Sequence, residues 1–476
     1  MTIIDYDSLL IGGGWAAATT DNVIDVLSAN TGQLIGRVPD SVEADMDAAV
    51  AAARAAFDAR DGWATWAPRQ RAEVMVRLAE ALETRSEETS VRVSSQNGMP
   101  ITTSRQVEGA EPPQYLRYYA DLIVQSEGEE ERGTTLVRRE PIGVAAAIPP
   151  FNAPQVLSFL KIAPALAAGC TLVVKPPPET VLDFFLLAEA VIEAGVPEGV
   201  INIVPGGREA GAYLVSHPGV DKVSFTGSTA AGRQIGATCA QLLRPVTLEL
   251  GGKSAAIILD DAKLSERAEQ LFAASFLING QTCFASTRIL APANRYDEVV
   301  DFYTSLASAA RVGDSLDPAT QIGPMVSARQ RDRVESYIAK GLGDGARLTT
   351  GGGRPDDLDQ GWFVQPTIFA DVDNSSVIGQ EEIFGPVLVI IRYDGDDDAV
   401  RLANDSAYGL GGTVWTEDTE RGIDIARRIA TGTIGINGYF PAIDAPYGGM
   451  KASGLGRENG PEGMAAYQQF QSIYRL

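Results

Sequence analysis

The stretch from Gly143 to Leu250 constrains the fold more tightly than any other part of the chain. Short apolar runs alternate there with segments of helical character. The runs are Val144 to Ile148, Leu172 to Lys175, Val200 to Val204, Lys222 to Phe225 and Val246 to Leu250, and the helical segments include Pro154 to Ala168 and Val181 to Ala194. Such alternation is the signature of a parallel sheet with crossover helices. Ligands of that architecture bind beyond the carboxyl ends of the strands. Asn152, Lys175, Gly227 and Glu249 each follow or close one of the runs.

Around this segment the chain is long and acidic. Its 476 residues exceed one ordinary core, and about 150 residues per domain predicts two or three domains. A formal charge of -23 argues against nucleic acid or an anionic membrane as partner, because phosphate-binding faces need clustered Lys and Arg. No Lys or Arg precedes Arg37, so a basic leader is not expected, and no apolar run approaches the roughly 18 residues of a membrane span. A cytoplasmic location follows as the expectation. Ser41 to Ser95 carries two Ala-rich, helix-periodic segments, in which Asp45, Arg54, Arg69, Arg71 and Arg77 read as solvent faces and Pro68 as a helix start. Gly128 to Arg139 reads as an exposed ribbon after a turn at Gly133, a candidate oligomer edge. The acidic run Asp394 to Asp398 is a solvated turn and helix start, not a metal site.

The chemistry is bounded by what is scarce. Cys170, Cys239 and Cys283 are an odd, widely spaced set, which suggests neither a disulfide framework nor a zinc site. The single histidine, His217, lies in the turn-like Ser216-His217-Pro218-Gly219 and reads as an exposed ring. Ser-His-Asp, Cys-His and histidine-metal sites are thereby disfavoured. Cys283 sits in Asn279-Gly280-Gln281-Thr282-Cys283-Phe284, a glycine-bearing turn, and is either a buried structural thiol or a nucleophile. Cys170 and Cys239 read as structural.

Three further motifs decide between those readings. Phe225-Thr226-Gly227-Ser228 opens a helix after a strand, where backbone N–H groups can approach a phosphate, although it is neither a Walker A loop nor the Rossmann fingerprint. Glu249 lies between leucines, so its carboxyl is costly to ionise and suits a general base, or else it is simply paired with a nearby cation. Asn152, between prolines, is a cap or turn residue, or an amide donor to an oxyanion.

Taken together, Phe151-Asn152, Phe225 to Ser228, Glu249-Leu250-Gly251-Gly252-Lys253, Gly280 to Cys283, Glu382-Ile383-Phe384-Gly385-Pro386 and Tyr447-Gly448-Gly449 through Ser453-Gly454 to Arg457-Glu458 resemble the NAD(P)-dependent aldehyde dehydrogenase superfamily over nearly the whole chain. The resemblance implies an α/β fold. A Rossmann-like parallel-sheet cofactor domain would comprise 1–121 and 142–250, a second α/β catalytic domain 251–455, and a small β oligomerisation element 122–141 and 456–476. It implies that Cys283 attacks an aldehyde, that Asn152 holds the oxyanion, and that Glu249 activates the water that hydrolyses the thioester. Lys161 and Glu458 match a proton relay. Ile148, Lys175, Gly207, Gly211, Phe225, Gly227, Ser228, Leu250, Glu382 and Phe384 match cofactor-binding positions, with NAD the expected cofactor and NADP the alternative. Pro178 stands where NAD-preferring relatives often carry Glu, with Glu179 displaced by one and Arg208 a candidate partner for a 2'-phosphate. Ala153, Leu157, Leu160, Phe276, Phe284, Tyr439, Phe440 and Tyr447 match a substrate tunnel without an arginine, which favours an uncharged small-molecule aldehyde. The resemblance also implies a homodimer or homotetramer, no metal, and two rivals, a CoA-acylating dehydrogenase and a catalytically silent binding relative.

Overall fold

The computed structural model describes residues 3–126 and 128–475, so positions 1, 2, 127 and 476 of the expected domain ranges lie outside the described residues. The predicted strands form the middle of an eight-stranded sheet. Its order is Gly454–Leu455, Val246–Glu249, Lys222–Thr226, Val144–Ile148, Thr171–Val174, Ile201–Ile203, Ser8–Ile11 and Gly14–Ala17. The five central strands are parallel, and the outer ones pair antiparallel.

The small, wholly buried run Val-Ala-Ala-Ala-Ile lets helices approach both faces. Val144, Ala146 and Ile148 enter one core with Met46, Val50 and Leu214, whereas Ala145 and Ala147 enter the other with Phe159, Ile162 and Leu116. The helix Pro154–Ala168 covers the second face, begun by proline at its first position and ended by Gly169 at φ 96°. It is apolar on nearly every side because Glu111–Gln125 packs over it.

The same alternation on Lys222–Thr226 is unusual. Val223 and Phe225 join the apolar face, so Lys222, Ser224 and Thr226 line the opposite one, beside Thr247 and Glu249 of the paired strand. Five polar side chains thus occupy a buried sheet face.

A second sheet of seven strands, from Arg347–Thr350 through Thr367–Ala370, Val387–Tyr393, Ser286–Pro292, Ser254–Ile258 and Gly412–Trp415 to Gly435–Ile436, builds the other α/β unit. A third pairs Glu129–Arg132, Thr135–Pro141 and Gln468–Tyr474 in an exposed antiparallel ribbon. Among the described residues no helix is long and apolar enough to cross a membrane.

Several expectations change. Strand Gly454–Leu455 completes the first sheet instead of belonging to the second unit, and Met464 and Tyr467 lie in the first unit's core, so only the last strand of 456–476 belongs to the ribbon. Residues 122–125 likewise finish the helix Glu111–Gln125. Ser41 to Ser95 holds three helices, Glu43–Asp58, Pro68–Glu83 and Ser86–Asn97, not two. Asp45 is buried, not solvent-facing, because it accepts hydrogen bonds from Thr19 N–H, Thr19 Oγ1 and Val42 N–H. Arg71 is half-buried and donates to Trp66 O. His217 is half-buried too: Gly219 N–H donates to its Nδ1, which makes Nε2 the donor to Asp47 at 3.1 Å.

Candidate active site

Cys283 follows a turn whose backbone is held in an uncommon conformation. Ile278, Asn279 and Gly280 have φ of 51°, 60° and 72°, and a branched side chain at such an angle persists only when its surroundings impose it. Asn279 supplies that restraint. Its Nδ2 donates to Gly98 O at 2.8 Å and Pro324 O at 2.9 Å, while its Oδ1 accepts from Gly323 N–H at 2.7 Å. Gln281 adds a bond from Val326 N–H at 3.1 Å. Gly280 is obligatory for a second reason, because a Cβ there would stand 2.3 Å from Gly385 O.

The thiol sits at the floor of a cleft of about 240 Å³ that is also lined by Asn152, Gly227, Ser228, Leu250, Glu382 and Phe384. These residues come from the carboxyl ends of the first sheet and from loops of the second unit, so the cleft joins the two. Asn152 Nδ2 donates to Gln281 O at 2.9 Å, which ties the amide to the turn before Cys283 and leaves its second N–H for another acceptor. Asn97 Nδ2 in turn donates to Asn152 O at 3.0 Å.

Burial pushes the Cys283 thiol up to about 12; Tyr447 O–H and Phe284 N–H oppose the rise and the Glu382 and Glu249 carboxylates add to it. Glu249 is 3% exposed, and among the described residues no side-chain or backbone partner meets the hydrogen-bond geometry for either carboxylate oxygen. Burial first and Glu458 second hold its carboxyl well above the usual carboxylate range. Gly448 makes room for it, since a Cβ there would lie 2.5 Å from Glu249 Oε1. Beside this group Lys161, 0% exposed, pairs with Glu458 Oε1 at 2.8 Å and donates to Thr226 Oγ1 at 2.6 Å.

Of the expected cofactor residues, Gly227, Ser228, Leu250, Glu382 and Phe384 line the cleft, and Ile148, Lys175, Gly207, Gly211 and Phe225 lie outside its lining. Ser228 caps the helix Thr229–Gln241, accepting from Ala231 N–H at 3.3 Å, and leaves an exposed helix N-terminus that suits a phosphate. Gly227 lies under the Phe225 ring, where a Cβ would come within 2.5 Å of Cζ, and Gly232 lies under Leu250. Lys175 is fixed by Pro176 O at 2.8 Å and Gly206 O at 2.7 Å, and burial pushes its ammonium down to about 8. Gly211 rests against the Lys175 side chain, Gly207 precedes the helix Arg208–Ser216, and Ile148 is buried at the end of its strand. Glu382 accepts from Gly252 N–H at 2.9 Å, and burial raises its carboxyl to about 7. Phe384, at φ 63°, meets Phe151 edge-on at 5.7 Å. A helix N-terminus and a buried carboxylate along one cleft, with a fixed buried lysine nearby in the same sheet, fit a dinucleotide.

The tunnel residues do not all share one surface. Phe284 stacks on Tyr439 at 4.6 Å, and Tyr447 is buried with its hydroxyl 3.5 Å from Cys283 Sγ. Ala153, Leu157 and Leu160 line up at the start of the helix Pro154–Ala168, buried or half-buried. Phe440 is 90% exposed. Phe276, at 1% exposure, is a core residue of the second unit, packed with Phe272 at 5.2 Å; its helix turns it inward, away from the cleft. Two cleft residues went unread in the sequence. Gln330 donates to Phe384 O at 2.8 Å and Arg333 to Glu382 O at 2.6 Å, and both sit on the polar face of Ala328–Gly343, where nothing distinguishes them from solvated residues.

The cleft thus brings together a thiol, a side-chain amide and a helix N-terminus, with the Glu249 carboxylate acting on the thiol. The chain belongs to the aldehyde dehydrogenase family, whose model matches residues 15–473, and is an NAD(P)-linked oxidoreductase of aldehydes. It is 57% identical over 478 residues to the geranial dehydrogenase of Castellaniella defragrans, with 99% of each chain covered. Its fold is similar to that of Mycobacterium tuberculosis aldehyde dehydrogenase complexed with NAD+, with a TM-score of 0.97, 48% identity, and 100% and 99% of the two chains covered. It is also similar to a mutant aldehyde dehydrogenase C of Pseudomonas syringae in complex with NAD+ and octanal, with a TM-score of 0.95, 39% identity, and 98% and 96% coverage.

Proposed function

We propose that this protein oxidises an uncharged, apolar aldehyde to its carboxylic acid with NAD, using Cys283 as nucleophile and Glu249 as base. The observation that carries the reading is the single cleft in which the Cys283 thiol meets Asn152, Glu382 and the Ser228 helix terminus. Cys283 Sγ attacks the carbonyl carbon, and the oxyanion is held by the free Asn152 Nδ2–H and the Cys283 backbone N–H. When bound, the nicotinamide supplies the hydride acceptor that turns the thiohemiacetal into a thioester. Glu249, its pKa raised by burial, then takes a proton from water as that water attacks the thioester carbon; the C–S bond breaks and the acid leaves. Lys161 and Glu458, in direct contact behind it, pass that proton onward.

Ser228, Lys175 and Glu382 would hold the cofactor's pyrophosphate and riboses, with Ile148, Gly207, Gly211, Phe225, Gly227, Leu250 and Phe384 shaping the walls. NAD is favoured because the solved relatives above hold NAD+; Arg208, which donates to the neutral Gln234 Oε1 at 3.1 Å, is the cation a 2'-phosphate would use. The names of the relatives above, geranial and octanal among their ligands or substrates, support an extended hydrocarbon aldehyde. Phe284, Tyr439 and Tyr447 beside the thiol suit such a chain.

The ribbon exposes Phe470, Ile473 and Tyr474, which supports a homodimer or homotetramer. Three cysteines, all free thiols, support a reducing, cytoplasmic location. Reduced-cofactor absorbance with octanal, geranial and benzaldehyde, with NAD or NADP, with or without CoA, tests the reading. Turnover with NAD and no CoA that disappears in Cys283→Ala is expected; turnover only with CoA would overturn it.

A further inference from the structure

Tyr447 is more than an aromatic wall. Its backbone is pinned by a two-bond bridge to Glu458, with Tyr447 N–H to Glu458 O at 2.7 Å and Glu458 N–H to Tyr447 O at 2.8 Å. The bridge fixes the ring beside the thiol on one side while Glu458 faces the base on the other. The ring is 5% exposed, and the hydroxyl's single hydrogen-bond partner among the described residues is Cys283 Sγ, at 3.5 Å.

A hydroxyl in an apolar wall costs stability unless it is bonded, and a plain phenyl ring would line a hydrocarbon tunnel equally well. The hydroxyl therefore has a use, and the sulfur is the atom it reaches. The sulfur in turn has few groups that favour a negative charge. Those facing it are the Glu382 and Glu249 carboxylates, the Tyr439 and Tyr447 phenols and the Phe284 N–H. Neither a lysine, an arginine nor a histidine is among them, in contrast to thiols activated by a neighbouring cation.

We propose that Tyr447 is a catalytic residue whose hydroxyl donates a hydrogen bond to the Cys283 thiolate, stabilising the nucleophile that attacks the aldehyde. This rests on the reading of Cys283 given above. Tyr447 keeps its proton throughout: burial holds its own ionisation well above the usual phenol range, so it acts only as donor, and the thiol proton leaves to solvent through the open cleft. Once the sulfur carries the acyl group it is a poor acceptor, so the bond is strongest before attack and when the thiolate departs from the thioester.

The test is iodoacetamide alkylation of the full-length protein without cofactor, from pH 6 to 11. Mass spectrometry of the Cys283 peptide separates it from the buried Cys170 and Cys239. In Tyr447→Phe the alkylation rate should fall about tenfold at each pH of the range, as expected for a lost hydrogen bond to a charged group. The kcat for aldehyde should fall with it while KM stays near the wild-type value, whereas a purely packing role would move KM and leave the alkylation profile in place. Should Tyr447→Phe fold poorly, 3-fluorotyrosine at position 447 keeps the shape and strengthens the donor, and the alkylation rate should then rise across the range. Superposable alkylation profiles for the wild type and either variant would overturn the proposal. They would leave the Cys283 reading intact, since that stands or falls on turnover by Cys283→Ala.

Discussion

Replacing Glu249 by Gln isolates the hydrolytic step. Among the described residues the carboxylate has no hydrogen-bond partner, and Lys161 keeps both Glu458 and Thr226 as partners when it is removed, so that buried cation is not orphaned. The new amide brings one buried N–H₂ that needs an acceptor, a cost of about 1–3 kcal/mol if it finds none. The two acids are close enough for Glu458 to raise the Glu249 carboxyl, so Glu458, one oxygen of which is free, is a ready acceptor. The folded state should therefore survive. The rate should not, because losing a general base costs about 10²- to 10⁴-fold, which is about 3–5 kcal/mol of barrier. The assay is stopped-flow absorbance of reduced cofactor with octanal. The variant should give a single burst near one equivalent per site followed by turnover slowed at least a hundredfold, and neutral hydroxylamine should restore turnover by cleaving the accumulated thioester. Steady-state turnover within a few-fold of wild type would refute the assignment of Glu249. Loss of the burst as well would show that Glu249 acts before the thioester forms, as the acceptor of the thiol proton.

Asn152→Ala should lower kcat/KM by about 10²- to 10³-fold by removing one oxyanion donor, with the Cys283 alkylation rate much less affected. Gly448→Ala should mimic Glu249→Gln kinetically, because the added Cβ would stand 2.5 Å from Glu249 Oε1 at a φ of 153° that disfavours a side chain, and the base must move. Lys175 is depressed to about 8 in the folded protein, so its contribution to stability is fully present above the ordinary lysine pKa of about 10.4 and is lost as pH falls through 8. Against Lys175→Met, the wild type should lose about 3 kcal/mol between pH 10.5 and 7.5, read from urea unfolding midpoints at each pH. A constant difference between the two proteins would show that the lysine titrates normally.

Local patterning carried the architecture far. The helix Pro154–Ala168 and the strand Val144–Ile148 have the bounds that their proline, glycine and apolar run dictate, because each signal acts within a few residues of chain. The same reasoning failed where a distant partner decides. Asp45 sits in a helical pattern as a surface acid does, yet Thr19 and Val42 give it three donors and it is buried. Phe276 looked like a tunnel residue by position, and the orientation of its helix placed it in the core.

By itself the sequence determined the parallel sheet, the candidate nucleophile, base and oxyanion amide, and the absence of an imidazole route. These depend on residue identity and short-range spacing. The tertiary structure alone decided that Glu249 stands in a buried polar face, that Gln330 and Arg333 reach the cleft, and that Tyr447 points its hydroxyl at Cys283 from 164 positions away. Burial and hydrogen-bond partnership are properties of what packs around a group, and groups so far apart in the chain leave no shared period or motif from which to read them.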